Sequence, residues 1–381
     1  VVRPLRTLVP EHPPAFLAAL RDALAGNGPA LLPSPLPTGG QVILDDVPKR
    51  VAVVIETSGS TGTPKRVMLA TNALLAGAAA SAVALGGAGQ WLLALPLHYI
   101  AGVQVLVRSI AAETTPLMLP PGHFDPQGFC RLAETMTEPL RYTALVPVQL
   151  ARLLDAADDP ALLAVLRRFT AILVGGQAIR ADLIARAAEL DVRVVRTYGS
   201  SETAGGCVYN GTPIGDTLVR VVDGQLELSG AVLAEGYLGD AERTADRFIV
   251  EHGVRWYRTG DLGEIDPING RVTVFGRADN VIISGGEKVS LDAVERIVRS
   301  LPGLDQAVVV GGDDVQWGQV PVVVLAGGAG VATDLAGVAA SVVPVLGRAA
   351  RPTRIVVVTA IPLLPSGKPD RLALVTLAKR R

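Results

Sequence analysis

Between Glu56 and Leu69 the sequence reads ETSGSTGTPKRVML, which sets two glycines, two serines, three threonines and a lysine directly after the apolar run Val51 to Ile55. Hydroxyls and backbone N–H groups gathered at the end of a buried strand, with a helix to follow, suit a polyphosphate. A Walker A loop is excluded by spacing: counted from Gly59, Pro64 stands where the second glycine belongs, and Arg66 follows Lys65 where a Ser or Thr belongs. The lysine is informative because the chain has only five: Lys49, Lys65, Lys288, Lys368 and Lys379. By itself Lys368, in PSGKPD, reads as a solvated tail residue.

A second group of polar residues lies on an apolar helix. From Ile100 to Ala112 only Gln104, Arg108 and Ser109 are polar, and Gln104 and Arg108, four apart, share a face. A guanidinium on an otherwise buried helix needs an anionic partner, either a protein carboxylate or a substrate carboxylate held bidentately. His98, just before this helix, is either a packed side chain or a substrate contact. No Ser-His-Asp or Cys-His arrangement is visible. Cys130 and Cys207 are far apart and form no C-x-x-C pair, so they read as small buried hydrophobes of a reducing cytoplasm.

Elements that could position these residues follow from the hydrophobic pattern. Short runs rich in Val, Ile and Leu (51–55, 91–97, 142–147, 171–176, 192–199) alternate with segments of helical spacing, as in a parallel sheet covered on both faces. Such sheets bind ligands at the carboxyl ends of their strands. GGQAI (175–179) and YGSSET (198–203) both follow such runs. From Gly205 onward, short strands with DG and NG turns suggest a separate antiparallel unit. The fold class expected is α/β: a large domain of layered α/β sheets plus a small antiparallel β unit (1–276), a hinge (277–280), and a small mobile α+β domain (281–381). The most membrane-like stretch, Ala73 to Leu97, is interrupted by glycines and reads as a buried helix and strand. The N-terminal residues show no apolar core of a signal peptide. A net charge of -1 gives no reason to expect a nucleic-acid partner.

TSGSTGTPK (57–65) resembles the signature of the adenylate-forming acyl-CoA synthetase superfamily. In the family's order the chain also carries GGQAI, YGSSET, YRTGDLG (257–263), GRADNVIISGGEKVS (276–290) and LPSGKPDR (364–371). The resemblance implies that a substrate carboxylate attacks the α-phosphate of ATP and displaces pyrophosphate, after which the thiol of CoA takes the acyl group. It implies roles for individual residues. Thr57, Ser58, Gly59, Ser60, Thr61, Gly62 and Lys65 would lie over the phosphates, and Glu202 would bind Mg2+ with Ser201 nearby. Gly175, Gly176, Gln177, Tyr198 and Gly199 would line the adenine slot, Asp261 would hold the ribose with Arg277 in support, and Lys368 would bridge carboxylate and phosphate in adenylation. Asp279 matches the hinge position, and Gly285 and Gly286 the wall of the CoA tunnel.

For the acid, PLHYIAGVQVLVRS (96–109) resembles the corresponding segment of o-succinylbenzoate-CoA ligases of menaquinone biosynthesis, although His98 stands where an aromatic is usual and Tyr99 where the histidine is. The resemblance implies a diacid substrate touched by His98, Gln104, Arg108 and Ser200, with the second carboxylate on Arg108. The early position of the phosphate motif resembles short ligases of this kind, and a homodimer would cover the surface that the shortening leaves. The alternatives are a ligase for another aryl or medium-chain acid, and an adenylation enzyme that delivers to a carrier protein.

Overall fold

The computed structural model describes residues 1–9, 13–34, 43–57, 64–327, 334–364 and 369–379. The chain divides into two compact units: the first comprises Val1–Arg220, Glu227–Thr259 and Ile265–Val272, and the second Val221–Leu226, Gly260–Glu264 and Thr273–Arg381. The segment expected as a hinge, 277–280, lies within the second unit.

In the first unit, Leu117–Met118, Gln90–Leu93, Arg141–Leu145, Ala171–Val174 and Val194–Ser200 form a parallel array in that spatial order. Gln90–Leu93 and Ala171–Val174 are buried at every position, as expected of strands covered on both faces. The antiparallel unit expected in this region is a separate sheet of Leu218–Val222, Gln225–Ser229, Val254–Ile265 and Phe248–Glu251 in that order, with Val272–Arg277 paired to Val254–Ile265, but Gly205–Tyr209 and Thr212–Pro213 before it continue the parallel sheet as its antiparallel edge. The cause is local. A single 3-10 turn, Ser201–Thr203, and the left-handed Ala204 (φ 50°) reverse the chain within a few residues, and so short a connection permits only antiparallel pairing.

The run Val51–Ile55 also departs from expectation. It belongs to a second, six-stranded sheet ordered Gly236–Tyr237, Lys65–Ala70, Val51–Thr57, Ala30–Pro33, Val2–Leu8, Ile43–Pro48. Val51–Thr57 pairs antiparallel with Lys65–Ala70, Thr57 opposite Lys65. The glycine and hydroxyl stretch therefore connects two strands, and helix Thr71–Leu85 begins only after the second. Buried Val67 and Leu69 alternate with less buried neighbours, which is the strand period.

The membrane-like stretch is the buried helix and strand anticipated. Helix Thr71–Leu85 ends where the amides of Gly86 and Gly87 bond back to the carbonyls of Val83 and Ala82, and strand Gln90–Leu93 follows. Among the described residues no helix is long and apolar enough to cross a membrane. Cys130 and Cys207 are both buried and unbridged, and burial pushes each thiol up to about 12.

The second unit has its own sheet, ordered Glu287–Ser290, Val281–Ser284, Gly318–Ala326, Val308–Asp314, with Arg354–Val358 paired parallel to Gly318–Ala326. Side chains alternate between its faces. Val309 and Val323 pack with helices Leu291–Arg299 and Leu335–Leu346, whereas Val308, Val310, Val322 and Val324 pack with Leu374 and Ala378 of the last helix.

Candidate active site

Glu202 sits in the 3-10 turn that ends strand Val194–Ser200, and only 7% of it is exposed. Tyr237 donates its phenol hydrogen to Glu202 Oε1 at 2.9 Å. Burial first, and the Glu202 charge second, raise this phenol far above its ordinary pKa, so it stays protonated and remains a donor. The Tyr257 hydroxyl hydrogen-bonds to the same phenol, and the Phe248 ring lies between the two tyrosines at 5.8 and 5.1 Å. Lys65 Nζ lies 5.9 Å from the Tyr237 ring centroid. One tyrosine thus joins the catalytic carboxylate and lysine expected from the sequence. A cavity of about 230 Å³ lies against Lys65 and Tyr237, bordered by Glu56, Arg66, Asp240 and Arg243.

No ion pair to Glu202 is present among the described residues. A nearly buried carboxylate with one hydrogen bond and no cation is unbalanced by several kcal/mol on an order-of-magnitude scale. A divalent cation would restore the balance. Among the described residues no cluster of three or more His, Cys, Asp or Glu could hold a metal by itself.

A line of buried, unpartnered polar atoms runs away from Glu202. Ser200 Oγ, Gln104 Oε1 and Arg108 Nε each lack a hydrogen-bond partner among the described residues. Ser200 pairs with Gly205 across the strands, and a Cβ on Gly205 would come within 3.3 Å of Gln104 Cγ. Gln104 Nε2 donates to Ala204 O at 2.7 Å. One turn on, Arg108 is 7% exposed. Its Nη2 donates to Tyr209 Oη at 3.3 Å, and its guanidinium lies 4.8 Å from the Trp91 ring. No carboxylate pairs with Arg108 among the described residues. Leu75, Ala78, Ala82, Trp91 and Ala111 border, with Arg108, a cavity of about 280 Å³. His98 is half-buried, its ring 4.1 Å from that of Tyr99, and burial lowers its pKa below the ordinary value.

The other residues of the first unit expected at the nucleotide lie at or just beyond strand ends. Gly175 follows Ala171–Val174, with Thr197 against its backbone, and Gly176 and Gln177 are exposed. Half-buried Tyr198 lies opposite Val208. Gly199 faces Gly205 so closely that a Cβ would meet the Gly205 carbonyl. Ser201 is buried and Thr57 half-buried. Ser58, Gly59, Ser60, Thr61, Gly62 and Lys368 lie outside the described residues.

In the second unit Arg277 joins two other expected residues. Its guanidinium donates to Asp261 Oδ1 at 3.1 Å and to both Asp279 oxygens at 3.1 Å. The Ala278 amide bonds to Gly260 O at 2.8 Å, which fixes the turn against TGD. The Gly285 amide bonds to Trp317 O at 2.9 Å and the indole covers Gly285, while Gly286 is open.

The signature of the AMP-binding enzyme family matches residues 22–238. The chain belongs to that family. The signature of the AMP-binding enzyme C-terminal domain matches residues 293–368. This AMP-binding enzyme is 38% identical over 368 residues to the probable 2-succinylbenzoate-CoA ligase of Mycobacterium tuberculosis, with 94% of each chain covered. Among solved structures it is similar to the o-succinylbenzoate CoA synthetase (MenE) from Bacillus subtilis in complex with the acyl-adenylate intermediate OSB-AMP. That likeness has a TM-score of 0.75 at 24% identity, covers 87% of this chain and 70% of that one, and speaks to fold alone. A variant of E. coli MenE with bound OSB-AMS gives a TM-score of 0.74 at 26% identity, covering 99% and 87%.

Tyr237, Tyr257 and Trp91 were not singled out as site residues from the sequence. Tyr237 stands on a two-residue strand, Gly236–Tyr237, too short to leave a periodic signal. Its only mark is an aromatic between glycines in EGYLGD.

Proposed function

We propose that this AMP-binding enzyme is an ATP-dependent 2-succinylbenzoate-CoA ligase acting in menaquinone biosynthesis. The succinyl carboxylate attacks the α-phosphate of ATP and pyrophosphate leaves. The CoA thiol then adds to the acyl carbonyl, AMP departs, and one proton is released with o-succinylbenzoyl-CoA. Kinship with the ligases named above supports the reaction class.

The observation that carries the substrate is Arg108. Burying a guanidinium costs several kcal/mol, more than the ~2 kcal/mol that a desolvated cation–π contact such as that with Trp91 returns. A ligand carboxylate would offset the difference, and o-succinylbenzoate has one to spare after its succinyl carboxylate is activated. Gln104 Oε1 and Ser200 Oγ, unpartnered along the way, would take polar contacts from the same ligand. His98, whose pKa burial lowers, would border the acid.

Toward the nucleotide, Glu202 would hold Mg2+, which when bound neutralises phosphate charge as pyrophosphate departs. Tyr237 would keep one carboxylate oxygen occupied and the other turned to the ligand. Lys65 and Thr57, on the two strands of the phosphate hairpin, would contact the β- and γ-phosphates, and Asp261 with Arg277 the ribose.

The test is mass detection of o-succinylbenzoyl-CoA formed from ATP, Mg2+, CoA and the acid, with aryl and medium-chain monoacids as comparison. Arg108→Ala should lower kcat/KM for the diacid by roughly 10- to 100-fold, the loss expected for a charge-assisted pair. Monoacids should change little. Equal losses on diacid and monoacids would remove the argument for this substrate.

A further inference from the structure

The second unit contains a hydrogen-bonded cluster for which the reaction described above has no role. Arg371 opens the last helix, Arg371–Lys379, three residues after Lys368. Its Nη2 donates to Glu295 Oε2 at 2.8 Å and to Asp292 Oδ1 at 3.2 Å, and its Nη1 donates to Val309 O at 2.7 Å. Both carboxylates belong to helix Leu291–Arg299. Asp292 reaches two further partners. Its Oδ2 accepts the Arg277 amide at 2.7 Å, and its Oδ1 accepts Asn280 Nδ2 at 2.6 Å. Gly276 lies against Asp292 so closely that any Cβ there would overlap it.

One carboxylate therefore ties the turn 276–280 to the helix that follows Lys368. The chain on either side of Lys368 is drawn together independently. Leu363 and Pro369 form an antiparallel bridge, and the Asp370 amide donates to Pro362 O at 2.8 Å. An exposed ion pair would be worth about 0–1 kcal/mol and would order little. Here Glu295 is 7% exposed and a single guanidinium makes three contacts, two of them charge-assisted, so the joint is stiff.

We propose that Arg371 is a positioning residue for adenylation: with Asp292 it locks the start of the last helix, just after Lys368 in the chain, to the 276–280 turn. This rests on the ligase function proposed above and on the adenylation role that the sequence resemblance implies for Lys368.

The experiment uses the full chain. Exchange of labelled pyrophosphate into ATP, dependent on 2-succinylbenzoate, reads adenylation, and thioester formed from supplied acyl-adenylate and CoA reads the second step. Arg371→Ala lowers exchange about 100-fold, the scale of an ångström-sized misplacement, and thioester formation less than about threefold. Arg371→Lys keeps the charge but cannot fork to both carboxylates and the Val309 carbonyl, and shows a smaller loss with the same split. In a Lys368→Ala background, Arg371→Ala causes no further fall in the residual exchange. Parallel losses in both half-reactions, or additive losses in the double variant, overturn the proposal.

Amide hydrogen exchange supplies a readout free of any substrate. Arg371→Ala speeds exchange at Asp370 and Arg277 together by about 10-fold, as loss of a shared local brace requires. Unchanged protection at Asp370 overturns the clasp whatever acid the enzyme takes. Absence of wild-type pyrophosphate exchange with 2-succinylbenzoate overturns the ligase reading and leaves the clasp to be judged by this measurement.

Discussion

Glu202 shows how a single hydrogen bond can set the chemistry of a carboxylate. Tyr237 holds Oε1, itself braced by Tyr257, so the remaining oxygen has one direction in which to act. Removing that brace with Tyr237→Phe should raise the Mg2+ concentration for half-maximal adenylation roughly 10-fold, the usual cost of losing a partner behind a metal ligand. A titration of pyrophosphate release, with Mn2+ binding in the presence of ATP as a second readout, checks it. His98 makes a prediction of the opposite kind. Its folded pKa lies below the ~6.5 of an unfolded chain, so its contribution to stability is complete above that value and is lost as pH falls through the folded one. An NMR titration should place the midpoint below that of a free imidazole. A midpoint at or above it would mean that the ring is solvated or paired with an acid.

At the scale of elements, what matters is how closely strand Val194–Ser200 approaches its antiparallel neighbour. Gly199→Ala would drive a Cβ into the Gly205 carbonyl. We expect a loss of about 1–3 kcal/mol in denaturant unfolding, with weaker adenylation because Ser200 and Glu202 follow directly. An unfolding midpoint equal to wild type would show that the two strands separate freely. The parallel strands were legible because burial on both faces writes continuous apolar runs, and helix Ile100–Ala111 because its polar residues are so few. The hairpin around the phosphate motif was not. KRVMLA is a strand because Val67 and Leu69 have a sheet to face, and six residues without that partner are equally good as the start of a helix. Arg108 was legible as an anomaly of charge, whereas its neighbours Trp91 and Tyr209 come from other elements and are fixed by tertiary packing alone.

For the whole molecule, the expected division of labour is between two half-reactions. Lys368→Ala should cut acid-dependent pyrophosphate exchange to a small residue while leaving thioester formation from supplied acyl-adenylate within about threefold of wild type, because the role inferred for its charge lies at the phosphate in the first step. A folded variant that loses both steps would contradict a separate role for this lysine. A ligase of this kind must also live with its own intermediate. An acyl-adenylate acylates any thiolate that it meets, and the two cysteines of the chain are both buried, their thiols pushed up to about 12. At neutral pH they are protonated as well as covered. The incoming CoA thiol then faces no competing thiolate from the folded protein.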